Sequence, residues 1–161
     1  MPYNNTIKAE AKYVADRGHP VNALYNAVLN TWFQSSEGYA IDRQVLGGVG
    51  KPNRKHFFVR PVGGFRDILL IVEHKHRAKW NDVGRQEVLE DITGYMKAQF
   101  DNTKYSTIYG LAGIGLHWMV CKMEKDGLPI PTIVVEWHDD ISSDLSYDAF
   151  ETVAASVYNI H

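Results

Sequence analysis

A chain of 161 residues, 45% hydrophobic and 22% charged, has the composition of one globular domain, long enough to bury most of its apolar surface without staples. Its one cysteine, Cys121, excludes an internal disulfide framework and a cysteine-rich zinc module, and fits a reducing compartment. The net charge of −2 excludes a uniformly polycationic binder, yet ten basic and only three acidic residues lie between Arg43 and Arg85, which points to a local polyanion-binding surface on an otherwise acidic chain.

Residues 1 to 18 are polar and mixed, and read as an N-terminal arm or a short helix around Ala9 to Ala15. No secretory signal and no apolar run of membrane-spanning length is visible, so the expectation is an intracellular protein, cytoplasmic or nuclear, with no membrane partner. Residues 19 to 161 read as a single domain. Val21, Leu24, Tyr25, Val28, Leu29 and Trp32 repeat with helical spacing, and Gly38 ends that helix. Alternation predicts a strand over 39–46, closed by Gly47, Gly48 and Gly50, and a second over 56–62. Gly63 and Gly64 then form a hairpin turn.

The next stretch organises the chain. Ile68 to Val72 are five consecutive aliphatic residues that run into Glu73, His74 and Lys75. Such a run reads as a strand buried on both faces, and alternation puts Glu73 and Lys75 on one face and His74 on the other. A carboxylate and an ammonium thus stand together at the C-terminal end of a core strand, where sheet proteins place their chemistry. An ordinary strand-end ion pair is the plainer alternative.

Beyond a polar loop, Asn81 or Asp82 can cap a helix over 82–100 that carries Gln86 on its first turns. Residues 106 to 123 predict one strand leading to a second, with Gly110, Gly113 and Gly115 allowing strands to pack closely on a helix. Lys125-Asp126-Gly127 is a turn before a strand over 132–137. Asp139 and Asp140 read as turn residues, and Ser146 as the cap of a last helix carrying Phe150, Val153, Ala154 and Val157. The order helix, three-strand meander, helix, further strands and a final helix predicts a mixed α/β fold: a central mixed sheet flanked by helices.

That order, with Glu-x-Lys closing the third strand, resembles the core of the PD-(D/E)xK nuclease superfamily, the restriction-endonuclease-like fold. More narrowly it is similar to small fungal proteins of that superfamily that end in a polar Asp-Ile-(Ser/Thr)-Ser stretch and a helix, here Asp140 to Ser143. The likeness spans roughly residues 19 to 160. It implies hydrolysis of phosphodiester bonds in nucleic acid, DNA sooner than RNA, with Mg²⁺ or Mn²⁺ as cofactor. On the matching positions Glu73 would hold the metal, the backbone carbonyl of His74 would be a further ligand, and Lys75 would stabilise charge beside it. Gln86 would join from the following helix. The acidic partner departs from the pattern: the family's Pro-Asp corresponds to Pro52-Asn53 here, an amide in place of a carboxylate. Asp42, on the neighbouring strand, is the other candidate ligand, whereas Asp67, six strand steps from Glu73, lies about 20 Å away along an extended strand.

Lys51, Arg54, Lys55, Arg77, Lys79 and Arg85 are the expected nucleic-acid contacts. Nucleases of this type commonly dimerise, so a homodimer is expected as well. The second functional reading is a catalytically inactive module of this type that binds nucleic acid or a protein partner. A zinc site built from His74 and His76 with His117 or His138 is a further alternative.

Overall fold

The computed structural model describes residues 3–17, 21–46 and 54–160, without the side chains of 16, 17, 44–46 and 54–56. Among the described residues, four α-helices flank one six-stranded sheet: α1 (Asn5–Arg17), α2 (Asn22–Trp32), β1 (Tyr39–Leu46), β2 (Arg54–Pro61), β3 (Leu70–Lys75), α3 (Asp82–Gln99), β4 (Thr107–Ile114), β5 (His117–Glu124), β6 (Thr132–His138) and α4 (Asp144–Tyr158). The strands lie in sequence order across the sheet, and every neighbouring pair is antiparallel except β3 and β4. Parallel neighbours need a crossover, and α3 provides it. The fold is thus a mixed α/β one, as the residue pattern predicts. No helix among the described residues is long and apolar enough to cross a membrane.

Two cores sandwich the sheet. Side chains of α1, α2 and α4 pack with Val59, Leu70, Val72 and Leu111 on one face. Val88, Ile92 and Met96 of α3 pack with Phe58, Ile71 and Ala112 on the other. Residues 70 to 72 of β3 are fully buried, which explains the unbroken aliphatic run. Ladder pairing begins at Leu70, later than the apolar run, because residues 63 to 69 are spent on the turn and a return toward β2.

The N-terminal segment is more than an arm. Tyr3, Ile7, Ala11 and Val14 are buried in the same core as α2, and the Trp32 indole donates to the Tyr3 hydroxyl at 3.0 Å. The cap of α4 is also displaced from the expected residue. Ser143 accepts from the Ser146 amide at 3.1 Å, so Ser143 is the cap. Ser146 is buried inside the first turn, where its hydroxyl accepts from the Trp118 indole at 2.8 Å and donates to the Asp140 carbonyl at 2.5 Å. Asp140 is a turn residue, accepting from the amide and hydroxyl of Ser142 at 2.8 and 2.7 Å.

Tyr25 ties α2 to the end of the sheet where β3 and β4 finish. Its hydroxyl donates toward the Gly115 and His117 carbonyls, at 3.2 and 3.3 Å, and its ring lies against Gly113, the register partner of His74. Burial pushes the Tyr25 pKa far above its ordinary value, so it remains a donor. An added Cβ at Gly113 would overlap the Tyr25 hydroxyl and ring. Gly113→Ala should therefore destabilise the fold by about 3 kcal/mol through overpacking, read as a lower urea midpoint. An unchanged midpoint would mean that Tyr25 does not set this packing.

Candidate functional site

β3 delivers Glu73 and Lys75 to the α3 side of the sheet, since Ile71, two residues earlier, lies in the α3 core. Glu73 is 3% exposed and is the register partner of His56 on β2 and Ala112 on β4. Lys75 meets a residue the sequence reading missed. Its ammonium donates to Asp91 Oδ2 at 3.0 Å, with side-chain exposures of 15% and 22%. Asp91 lies within the stripe formed by Val88, Ile92 and Met96, so α3 packs it against the sheet. A carboxylate embedded in an apolar helical stripe is the signal that could have found it.

His74 projects to the opposite face, where its ring stacks on Tyr25 at 5.4 Å and 20° and meets Phe57 at 6.1 Å. These rings hold the end of β3 from behind, while Lys75 and Asp91 hold it from the α3 side.

The other expected site residues do not converge on Glu73. Asp42 is on the correct face, opposite Phe58, but accepts from Arg60 Nε at 2.5 Å and Nη2 at 3.3 Å. Arg60 is itself buried, with its guanidinium 4.6 Å from the Phe65 ring centroid. Two strand spacings and two residues separate Asp42 from Glu73, a Cα distance of roughly 12 Å. Asp42 therefore does not share an ion with Glu73 in this arrangement. Gln86 points to solvent and donates to Glu90 at 2.9 Å, because it lies two residues from both Gly84 and Val88, which face the sheet. Asp67 precedes β3 and accepts from the Lys104 amide at 3.0 Å. Asn53 and Lys51 lie outside the described residues.

The expected nucleic-acid contacts divide similarly. Arg54 and Lys55 belong to β2, opposite Leu46 and Val45, and their side chains are outside the described set. Arg77 donates to the Ala15 carbonyl. Arg85 pairs with Asp82 and lies 4.6 Å from the Trp80 ring centroid. Lys79 is exposed in the short 3₁₀ turn after β3.

Trp80 also stacks on His117, with centroids 3.6 Å apart and planes at 3°. His117 Nδ1 stands 3.7 Å from Asp139. Burial lowers the His117 pKa below 6.5, Asp139 and Asp140 oppose this, and Arg85 reinforces it. The unfolded chain therefore binds the proton more readily than the folded one. The stability from neutral His117 is complete above about pH 6.5 and is lost as pH falls through the lowered pKa. A thermal midpoint followed downward from pH 7.5 should fall, and His117→Gln should flatten that slope. An unaltered slope in the variant would assign the pH dependence elsewhere.

The histidines of the zinc alternative serve separate contacts. His76 Nδ1 accepts from the Ala78 amide at 3.1 Å, the His138 ring bonds the Glu136 carbonyl at 2.9 Å, and His74 and His117 occupy opposite faces. Among the described residues no group of three or more His, Cys, Asp or Glu side chains is gathered to hold a metal. Burial pushes the Cys121 thiol up to about 12, which makes it a poor nucleophile. No family model, curated protein or solved structure matches this chain.

Proposed function

We propose that the chain is a restriction-endonuclease-like phosphodiester hydrolase acting on nucleic acid, DNA sooner than RNA, with Glu73 and Lys75 at its reacting centre. The observation that carries this reading is the buried Glu73 beside Lys75 on one face of the central strand, next to the sheet's parallel junction. Burying a carboxylate is costly, and the C-terminal end of a central strand is where sheet proteins place their chemistry.

The donors suit a hard divalent cation in kind. Mg²⁺ takes oxygen ligands and is commonly held by one or two carboxylates with water and substrate phosphate completing its shell. Glu73 would hold the ion, with the His74 carbonyl and Asn53 as the further ligands implied by the resemblance. When bound, the cation supplies a polarised phosphate and a more acidic water. Lys75 contributes a positive charge for the developing negative charge on phosphate, and Asp91 fixes its position.

A second reading is favoured by a specific pair of contacts. Arg60 engages Asp42 and Asp91 engages Lys75, so two groups expected to serve catalysis are satisfied internally. On that reading the domain binds nucleic acid or a protein partner without cleaving. Cleavage of plasmid, single-stranded DNA and RNA with Mg²⁺ or Mn²⁺ separates the two. Cleavage that Glu73→Gln removes supports hydrolysis; binding that weakens steeply with salt, without cleavage, supports the module.

A further inference from the structure

The sheet ends in two edge strands, and they are guarded differently. β6 exposes Ile133 and Val134, but Pro131 precedes it and its register against β5 shifts twice. Proline and bulges of this kind keep an edge from pairing with another chain. β1 has neither. It stays in regular antiparallel register with β2 from Tyr39 to Leu46, and no described strand lies on its other side. A regular edge of this length offers a row of outward N–H and C=O groups to a further strand.

The side chains of β1 select a copy of itself. Two copies related by a two-fold axis pair antiparallel, and opposed residues then share a face. An axis through Ile41 sets Ile41 against its own copy, Ala40 against Asp42, and Tyr39 against Arg43. Ala40 is small and leaves room for the Asp42 carboxylate, which Arg60 holds. The half-buried Ile41 pair is the kind of β-branched cross-strand contact that stabilises a sheet. Axes through Asp42 or Arg43 would instead oppose like charges.

Arg43 and Glu37 supply the complementary charges. Both are exposed, and neither makes an ion pair among the described residues. Glu37 closes the short 3₁₀ turn that feeds β1. Burial pushes the Tyr39 hydroxyl up to about 12, with Tyr158 and then Glu37 adding to the rise, so the Glu37 charge lies near the Tyr39 ring. Arg43 opposite Tyr39 of a second copy therefore comes diagonal to that copy's Glu37, within reach of a long side chain. The two-fold axis makes this contact twice.

We infer that β1 pairs antiparallel with β1 of a second copy about Ile41, joining the two sheets into one. The interface has β2 between it and β3, and it does not depend on the proposed hydrolytic centre.

Sedimentation velocity of the purified full chain from about 5 to 200 μM tests the pairing, with the dimer fraction expected to grow over that range. Arg43→Glu sets like charges on both diagonals and should weaken the dimer about ten-fold or more. Adding Glu37→Arg should restore it. Ile41→Cys reports the register. Opposed Cα atoms stand about 4.5–5.5 Å apart, within disulfide range, so mild oxidation should link the copies. Arg43→Cys should not link, because the axis holds its two copies roughly 14 Å apart. The native Cys121 is buried. A thermal midpoint confirms the fold of each variant. Glu73→Gln should dimerise as wild type does, so failure here and failure of the hydrolase reading are distinguishable. The inference is overturned if the chain stays monomeric at about 200 μM. It is equally overturned if Arg43→Glu dimerises as wild type does or is not rescued by Glu37→Arg, or if Arg43→Cys links as readily as Ile41→Cys.

Discussion

Glu73→Gln should lower metal-dependent cleavage by about 10²–10³-fold, the scale for removing one electrostatic contributor to a transition state, while the protein stays folded. Glutamine keeps the length and nearly the volume of the side chain but removes the charge. In a position 3% exposed, removing a charge relieves desolvation, so thermal stability should hold or rise. Lost activity with retained stability is the pattern of a residue kept for chemistry. Lost stability with unchanged activity would make Glu73 a structural strand-end carboxylate. A melting curve and a plasmid-nicking time course on the same preparation decide between them.

The second large effect is expected at the Lys75–Asp91 pair. Lys75→Met would leave the Asp91 carboxylate, 22% exposed, packed under α3 without its ammonium partner. Such one-sided deletions are costly because the remaining charge stays desolvated, and the partial exposure here points to about 2 kcal/mol. For a domain of this size that is a fall of about 4–8 °C in the thermal midpoint. Asp91→Asn should cost less, since the lysine's flexible stem lets its ammonium reach water. A double-mutant cycle should return a coupling of about 1 kcal/mol or more. A coupling near zero would mean that the 3.0 Å contact contributes nothing to the fold. Activity supplies a separate readout. If Asp91 positions Lys75, Asp91→Asn should slow cleavage by about ten-fold with little change in substrate affinity.

Much of the fold was legible because its strands are regular. Tyr39 to Leu46 alternates cleanly, and the strand occupies those residues. The aliphatic run before Glu73 announced a strand covered on both faces, and the two cores are what cover it. Gly113 was read as a close-packing residue, and the Tyr25 ring against it supplies the reason.

The misses have local causes. The N-terminal segment was left between an arm and a short helix, and it is the helix α1, longer than expected, whose buried stripe of Ile7, Ala11 and Val14 is thinned by small and polar neighbours. Ser143 and Ser146 are both plausible caps in a serine-rich stretch, and only the Trp118 indole, 28 residues away, decides that Ser146 turns inward. Gln86 was placed on the correct helix but the wrong face, because helical phase depends on which residues meet the sheet. Asp42 lies on the expected strand, but that strand is not the neighbour of the one carrying Glu73, since β2 stands between them. What alternation within β1 could not reveal is Arg60, whose reach across the ladder occupies that carboxylate. The site is thus less legible than the fold, since it depends on side chains that meet across elements.

Incubating the purified protein with supercoiled plasmid and Mn²⁺, beside Glu73→Gln and a chelator control, tests the central claim most directly. The proposal predicts nicked and linear DNA from wild type alone, abolished by chelation and by the substitution. Cleavage that persists in Glu73→Gln, or wild-type protein that leaves plasmid, single strands and RNA all intact, would contradict it.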